Sequence, residues 1–180
     1  MASVGRTKKI ALCALFVSLH IVGGFVRIPT PFAPITLQLQ LALLAGILLG
    51  AEWGGVSVLL YLLLGLIGLP VFASGGGVSY VLQPTFGYLL GFALSAFVAG
   101  KIVRMGILTR GKIVCAFLIG LLISYALGLI YAACIFTLYL HQSISIWDFL
   151  LGYFLLTLPK DLALAAIGVP LVKRFAGYMV

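Results

Sequence analysis

Residues 159–161 read Pro-Lys-Asp in the middle of 147–172, an apolar stretch long enough to cross a bilayer. The whole chain holds three carboxylate side chains, Glu52, Asp148 and Asp161, so one of the three is spent at membrane depth. That placement costs about 2.5–3.5 kcal/mol on insertion scales, and the adjacent Lys160 adds a second cost of similar size. Such residues are tolerated mainly where they face a bundle interior or a polar cavity, and their default role is a ligand or ion site. The plainer alternative is a helix that ends at Leu158 and leaves Lys160 and Asp161 in water.

Further groups with binding chemistry lie upstream. Gln38 and Gln40 fall just inside a helix that follows a proline-rich segment. Two residues apart is about 200° around a helix, so only one of them is expected to face the interior. Tyr80, Gln83, Thr85 and Tyr88 end a glycine-rich stretch and begin the next helix. With Asp161 and Lys160 they offer a carboxylate acceptor, an ammonium donor, amides and phenols, set among Phe32, Phe72, Trp53 and Phe86. That mixture suits a small, mostly apolar ligand with one anionic end and hydrogen-bond donors. Phe32 and Phe72 fit a pocket wall or packing beneath a lid equally well. Trp53 reads as an interfacial anchor. Pro159 removes a helical donor and crowds the preceding turn, which opens backbone carbonyls toward a ligand.

Catalysis has little support. His20 and His141 are far apart, and H-E-x-x-H and G-x-S-x-G are both missing. His20 reads as a packed or interfacial histidine. Gly75–Gly77 lacks the Lys-Ser/Thr of a phosphate loop, so any ATP hydrolysis belongs on another chain. Cys13, Cys115 and Cys134 have no metal or disulfide spacing and are expected to pack as small apolar residues. The expectation is a binding protein with no catalytic residues, metal or cofactor. A membrane-embedded enzyme would need a nucleophile–base pair or a metal cluster.

The elements that must position these groups follow from composition. The chain has 180 residues, 64% hydrophobic and 8% charged, with mean hydropathy +1.31. This implies an all-α integral membrane protein with one domain over 1–180. Continuous apolar runs argue against the alternating segments of a β-barrel. The net charge of +8 flanks the apolar runs and leaves no soluble surface for nucleic acid. Helices are expected at about 10–28, 36–50, 56–69, 86–103, 113–140 and 146–172, the first retained rather than cleaved as a signal. Prolines 29, 31 and 34 exclude helix over 27–35. Residues 50–55 read as a tight turn, 70–85 as a lid folded over the bundle, 141–146 as a polar turn, and Pro159 as an interruption in the last helix. With both termini cytoplasmic, nine of the eleven Lys and Arg residues fall inside: Arg6, Lys8, Lys9, Lys101, Arg104, Arg110, Lys112, Lys173 and Arg174.

Small residues recur at every fourth position. Gly87, Gly91, Ser95 and Ala99, and Gly120, Ser124, Gly128 and Ala132, each mark one helical face suited to close internal packing. Ala14 and Ser18 mark a face of the first helix that could dock another membrane subunit. No inverted repeat is visible, so the chain looks too small for a complete alternating-access carrier.

Several of these stretches resemble a known family. Pro29-x-Pro31-Phe32, Pro34-Ile35-Thr36-Leu37-Gln38, Leu60-Tyr61-Leu62-Leu63-Leu64-Gly65, Gly68-Leu69-Pro70-Val71-Phe72, Gly75-Gly76-Gly77 and Pro84-Thr85-x-Gly87-Tyr88 look like the BioY family, over residues 10–175. That family comprises the biotin-specific S components of energy-coupling factor (ECF) transporters. The resemblance implies a six-helix S component in the bacterial cytoplasmic membrane that captures biotin from outside. It implies an ECF transmembrane coupling protein and two ATPase subunits as partners, with delivery by toppling. An S component for thiamine or riboflavin is the nearest alternative. Pro159-Lys160-Asp161 matches the family's Pro-x-Asp pattern, making Asp161 the expected acceptor for the ureido N–H groups. Many members carry a lysine three residues later, where this chain has Leu164, and Lys160 lies one turn from that position. Gln83 and Phe86 stand where glycines are common. Ala14-x-x-x-Ser18 is similar to the docking motif of S components.

Overall fold

The computed structural model describes residues 5–142 and 145–175, so the domain expected over 1–180 and the polar turn at 141–146 extend beyond it. Among the described residues, four helices are long and apolar enough to cross a membrane: Arg6–Phe25, Phe86–Arg104, Arg110–Tyr139 and Ile146–Phe175. Two shorter apolar helices, Gln38–Leu49 and Ala51–Leu66, stand beside them. In chain order these are α1 (Arg6–Phe25), α2 (Gln38–Leu49), α3 (Ala51–Leu66), α4 (Phe86–Arg104) and α5 (Arg110–Cys134). The last long helix divides into α6 (Ile146–Leu150) and α7 (Leu158–Phe175).

The helices run alternately up and down, which gathers the loops at two ends. One end carries the α2–α3 and α4–α5 connections, with Lys101, Arg104, Arg110 and Lys112. The other carries the proline-rich segment, the glycine-rich segment and the start of α6.

The α2–α3 connection is tighter than a turn over 50–55. Gly50 alone breaks the chain, at φ 88°, a left-handed value that glycine adopts without a Cβ penalty. Residues 51–55 are therefore helical and not turn. Glu52 lies in the first turn of α3, where a negative charge complements the helix dipole. Trp53 follows it, half-buried beside Cys13, Phe16 and Leu49.

Close packing at this end depends on missing side chains. A Cβ on Gly46 would overlap the carbonyl oxygen of Ala96, and one on Gly100 would meet the backbone of Ala51. So α2, α3 and α4 approach to backbone contact, the geometry that small residues allow in membrane bundles. Between α4 and α5 the period-four faces meet: Gly91 lies against Ser124, and Ser95 donates to the carbonyl of Gly120 at 2.7 Å. Cys13 is buried, whereas Cys115 and Cys134 are exposed on the outside of the bundle.

At the other end, residues 27–36 fold as a short antiparallel hairpin, with β1 (Arg27–Ile28) paired to β2 (Ile35–Thr36). The glycine-rich segment is more deeply built in than a lid. Phe72 pairs with Gly75 across a tight loop, and a 3₁₀ turn covers Val78–Leu82. The rings of Phe72 and Tyr80 meet at 4.6 Å, tilted by 47°, and lie buried in the core. The segment plugs the bundle because its aromatic residues are worth more inside than out.

The last helix is interrupted before Pro159, not at it. A π-helical turn over Leu151–Leu155 and a turn at 156–157 precede α7. Pro159 is the second residue of α7, where a missing N–H removes no helical bond. Tyr153 lies in this π turn, a feature common at functional sites, and Thr157 follows it; both are buried.

Candidate ligand-binding site

A cavity lies at the proline- and glycine-rich end, between β2, α2, the glycine-rich segment, α4, α5 and the α6–α7 junction. Its polar wall comprises Thr36, Gln38, Tyr80, Thr85, Tyr88, Tyr125, Tyr153, Thr157, Lys160 and Asp161. Ala33, Pro34, Leu39, Ala73, Leu89 and Phe92 form the apolar wall. Its free volume of ≈ 60 Å³ is below the ~300–1,000 Å³ of typical small-ligand pockets.

Asp161 is the centre of the polar wall. It is 2% exposed and comes from the first turn of α7. Lys160 Nζ lies 2.6 Å from Oδ1 and also donates to the carbonyl of Thr36 at 2.7 Å. The lysine thereby neutralises the buried carboxylate and ties α7 to the hairpin. On the far oxygen, the phenol of Tyr125 donates to Oδ2 at 2.6 Å. Gln40 Nε2 donates to the Asp161 carbonyl at 3.0 Å and lies 3.4 Å from Oδ1. Every acceptor of this carboxylate is engaged, as a charge out of water requires.

A second network lies beneath Gln38. Its amide donates to the carbonyl of His20 at 3.2 Å and to the phenol oxygen of Tyr61 at 2.6 Å, and Tyr61 donates to the carbonyl of Val71 at 3.3 Å. Thr36 donates to the Gln38 carbonyl oxygen at 3.4 Å. One glutamine so connects α1, α2, α3 and the glycine-rich segment. His20 is a packed core histidine, donating from Nδ1 to the carbonyl of Phe16 at 2.7 Å.

Of the residues singled out from sequence, Asp161, Lys160, Gln38, Tyr80, Thr85 and Tyr88 converge on this cavity. Three do not line it. Gln83 is exposed, because the turn after the 3₁₀ segment points it outward. Phe72 packs under Gly65, Tyr61 and Tyr80, and Phe32 packs on Gly152 and Tyr153. Gln38 and Gln40 are both buried, against the expectation that only one faces inward. The reason is that α2 is enclosed on several sides: Gln38 meets α1 and α3 while Gln40 meets α7. The signal was present, since α2 is otherwise apolar all round, the mark of a surrounded helix. Tyr125, Tyr153 and Thr157 escaped notice because nothing in a linear apolar run marks which tyrosine meets a carboxylate in another helix.

Elsewhere, Ala14 and Ser18 are exposed on α1. With Cys13, Val17 and Ile21 they form one side of an apolar groove whose other side is Val56, Leu60 and Leu63 of α3 and Ile67 just after it.

The sequence model of the BioY family covers residues 1–179. A probable biotin transporter BioY of Lysinibacillus sphaericus is 43% identical over 171 residues, 93% of this chain and 86% of its own length. A biotin transporter BioY of Thermotoga maritima is 37% identical over 138 residues, 75% of this chain and 78% of its own. Among solved structures, the crystal structure of the S component for biotin from an ECF-type ABC transporter superposes with a TM-score of 0.83 at 27% identity. It covers 98% of this chain and 95% of that one.

Proposed function

The chain belongs to the BioY family, and on that premise we propose that it is the biotin-binding membrane subunit of a vitamin uptake system. The observation that carries this reading is Asp161, a buried carboxylate on the wall of a mostly apolar cavity, with a displaceable lysine as its counter-ion. Biotin presents a ureido carbonyl with one N–H donor on either side of it, and a thioether ring with an aliphatic tail. One N–H suits Asp161, a charge-assisted bond to a carboxylate being the stronger class of hydrogen bond. Lys160 Nζ lies at the same end of the cavity, 2.6 Å from Oδ1, within reach of the ureido carbonyl rather than of the distant tail carboxylate. Leu39, Leu89 and Phe92 suit the thioether ring and tail. Tyr80, Thr85, Tyr88 and Gln38 complete the polar lining. Entry requires Lys160 to leave Asp161 and the hairpin and glycine-rich segment to shift.

The wider arrangement belongs to the same reading. Six crossings, counting the two shorter helices, put both termini and the basic end in the cytoplasm, with the cavity facing outward. The membrane is the bacterial cytoplasmic membrane. The α1–α3 groove with Ala14 and Ser18 docks an ECF coupling protein, two ATPase subunits supply the energy, and toppling carries the site inward. No step is catalysed by this chain, and no cofactor or metal is required.

The test is an equilibrium titration of the purified protein in lipid nanodiscs with biotin, thiamine and riboflavin. Saturable binding of biotin alone is expected. Binding of thiamine or riboflavin in preference to biotin would overturn the reading.

A further inference from the structure

We infer that Tyr125 and Gln40 are positioning residues that hold the Asp161 carboxylate in the orientation that receives an N–H group of the ligand. The inference deepens the biotin-binding reading and rests on it.

Tyr125 reaches Asp161 Oδ2 at 2.6 Å, and a carboxylate only accepts, so the phenol proton lies between them. Thr157 Oγ1 lies 2.9 Å from the phenol oxygen and donates to the carbonyl of Phe154 at 3.2 Å, so the hydroxyl is fixed beside the phenol. The ring has little freedom. Tyr88 meets it edge-on at 6.0 Å on one side and Phe154 at 5.1 Å on another. Tyr125 therefore presents a fixed donor from α5.

Gln40 approaches from α2. Both groups before its amide nitrogen, the Asp161 carbonyl at 3.0 Å and Oδ1 at 3.4 Å, can only accept, which assigns the orientation of the amide. Its oxygen is buried and, among the described residues, has no partner. An unmet buried acceptor is destabilising, and a leucine here would avoid it. What the amide alone supplies is its pair of contacts with Asp161.

Lys160 differs from both. Its side chain is 24% exposed, and its ammonium sits on a flexible four-carbon stem. An incoming N–H can take its place on Oδ1 while Tyr125 and Gln40 remain. Without them the carboxylate gains rotamer freedom that ligand binding must then remove.

The experiment is a set of double-mutant cycles read by equilibrium biotin binding to the full chain in nanodiscs. The proteins are wild type, Tyr125→Phe, Gln40→Met, Asp161→Asn and the two double variants with Asp161→Asn. Each single positioning variant is expected to bind biotin at least about fivefold more weakly. In the Asp161→Asn background the same changes are expected to add less than about twofold, because the group they position is gone. Wild-type affinity in Tyr125→Phe and Gln40→Met overturns the inference. So does an equal loss in both backgrounds, which would mean that the two residues only shape the pocket. Thr157→Val keeps the tyrosine ring and removes the hydroxyl that lies 2.9 Å from its phenol oxygen. It carries the same cycle if Tyr125→Phe does not fold. A wild-type protein that binds no biotin overturns the ligand reading itself, an outcome visible before any variant is made.

Discussion

Asp161→Asn isolates the charge at the centre of the site. The substitution keeps the side-chain shape and exchanges one carboxylate oxygen for an amide nitrogen. Removing one member of a buried ion pair costs about 3–5 kcal/mol when the other is left buried and unpaired. Lys160 is not left so. Its side chain is 24% exposed and it keeps its bond to the Thr36 carbonyl at 2.7 Å, so the folding loss falls well below that range. Binding is the sensitive quantity. One ureido donor loses a charged acceptor, for which about 1.5 kcal/mol is the low end, or roughly a twelvefold weaker affinity. Isothermal titration of biotin into the nanodisc protein measures the change, with a thermal melt of the same samples to verify the fold. A folded Asp161→Asn protein with unchanged biotin affinity would refute the assignment of Asp161 as the ureido acceptor.

Three further outcomes follow from the same geometry. Lys160→Met is expected to weaken biotin and biotin methyl ester by the same factor, roughly tenfold, because the ammonium sits at the ureido end; competition binding with the two ligands measures it. A much larger loss for the free acid would place Lys160 on the tail instead. Gly46→Ala forces α2 and α4 apart at the Ala96 carbonyl and is expected to cost about 1–3 kcal/mol, seen as a lower unfolding temperature in detergent. Biotin at one hundred times its dissociation constant is expected to stabilise the wild-type protein by about 2.7 kcal/mol, raising that temperature, whereas thiamine leaves it unchanged.

The linear order of residues already told a good deal about this molecule. Continuous apolar runs can satisfy backbone hydrogen bonds in lipid only as helices, so an all-helical membrane fold followed from composition. The prolines at 29, 31 and 34 excluded helix wherever they stood, since each removes a donor. Asp161 stood out because a charge inside an apolar run is costly wherever the run finally packs. These are local constraints, and local constraints can be read from the chain in order.

What tertiary structure decided was who meets whom. Gln40 and Gln38 point about 200° apart on one helix, yet both are buried, because α2 has neighbours on opposite sides. Phe72 and Phe32 had the composition of a pocket wall, but their rings found denser packing against Gly65 and Gly152. Tyr125 looked like any tyrosine in an apolar helix. It became part of the site only because α5 packs on α7 with Asp161 opposite it, 36 residues along the chain. Pro159, Lys160 and Asp161 announced that a polar site exists, because burial of charge has a cost that sequence alone reveals. The residues that answer that charge come from other helices, and only their packing identifies them.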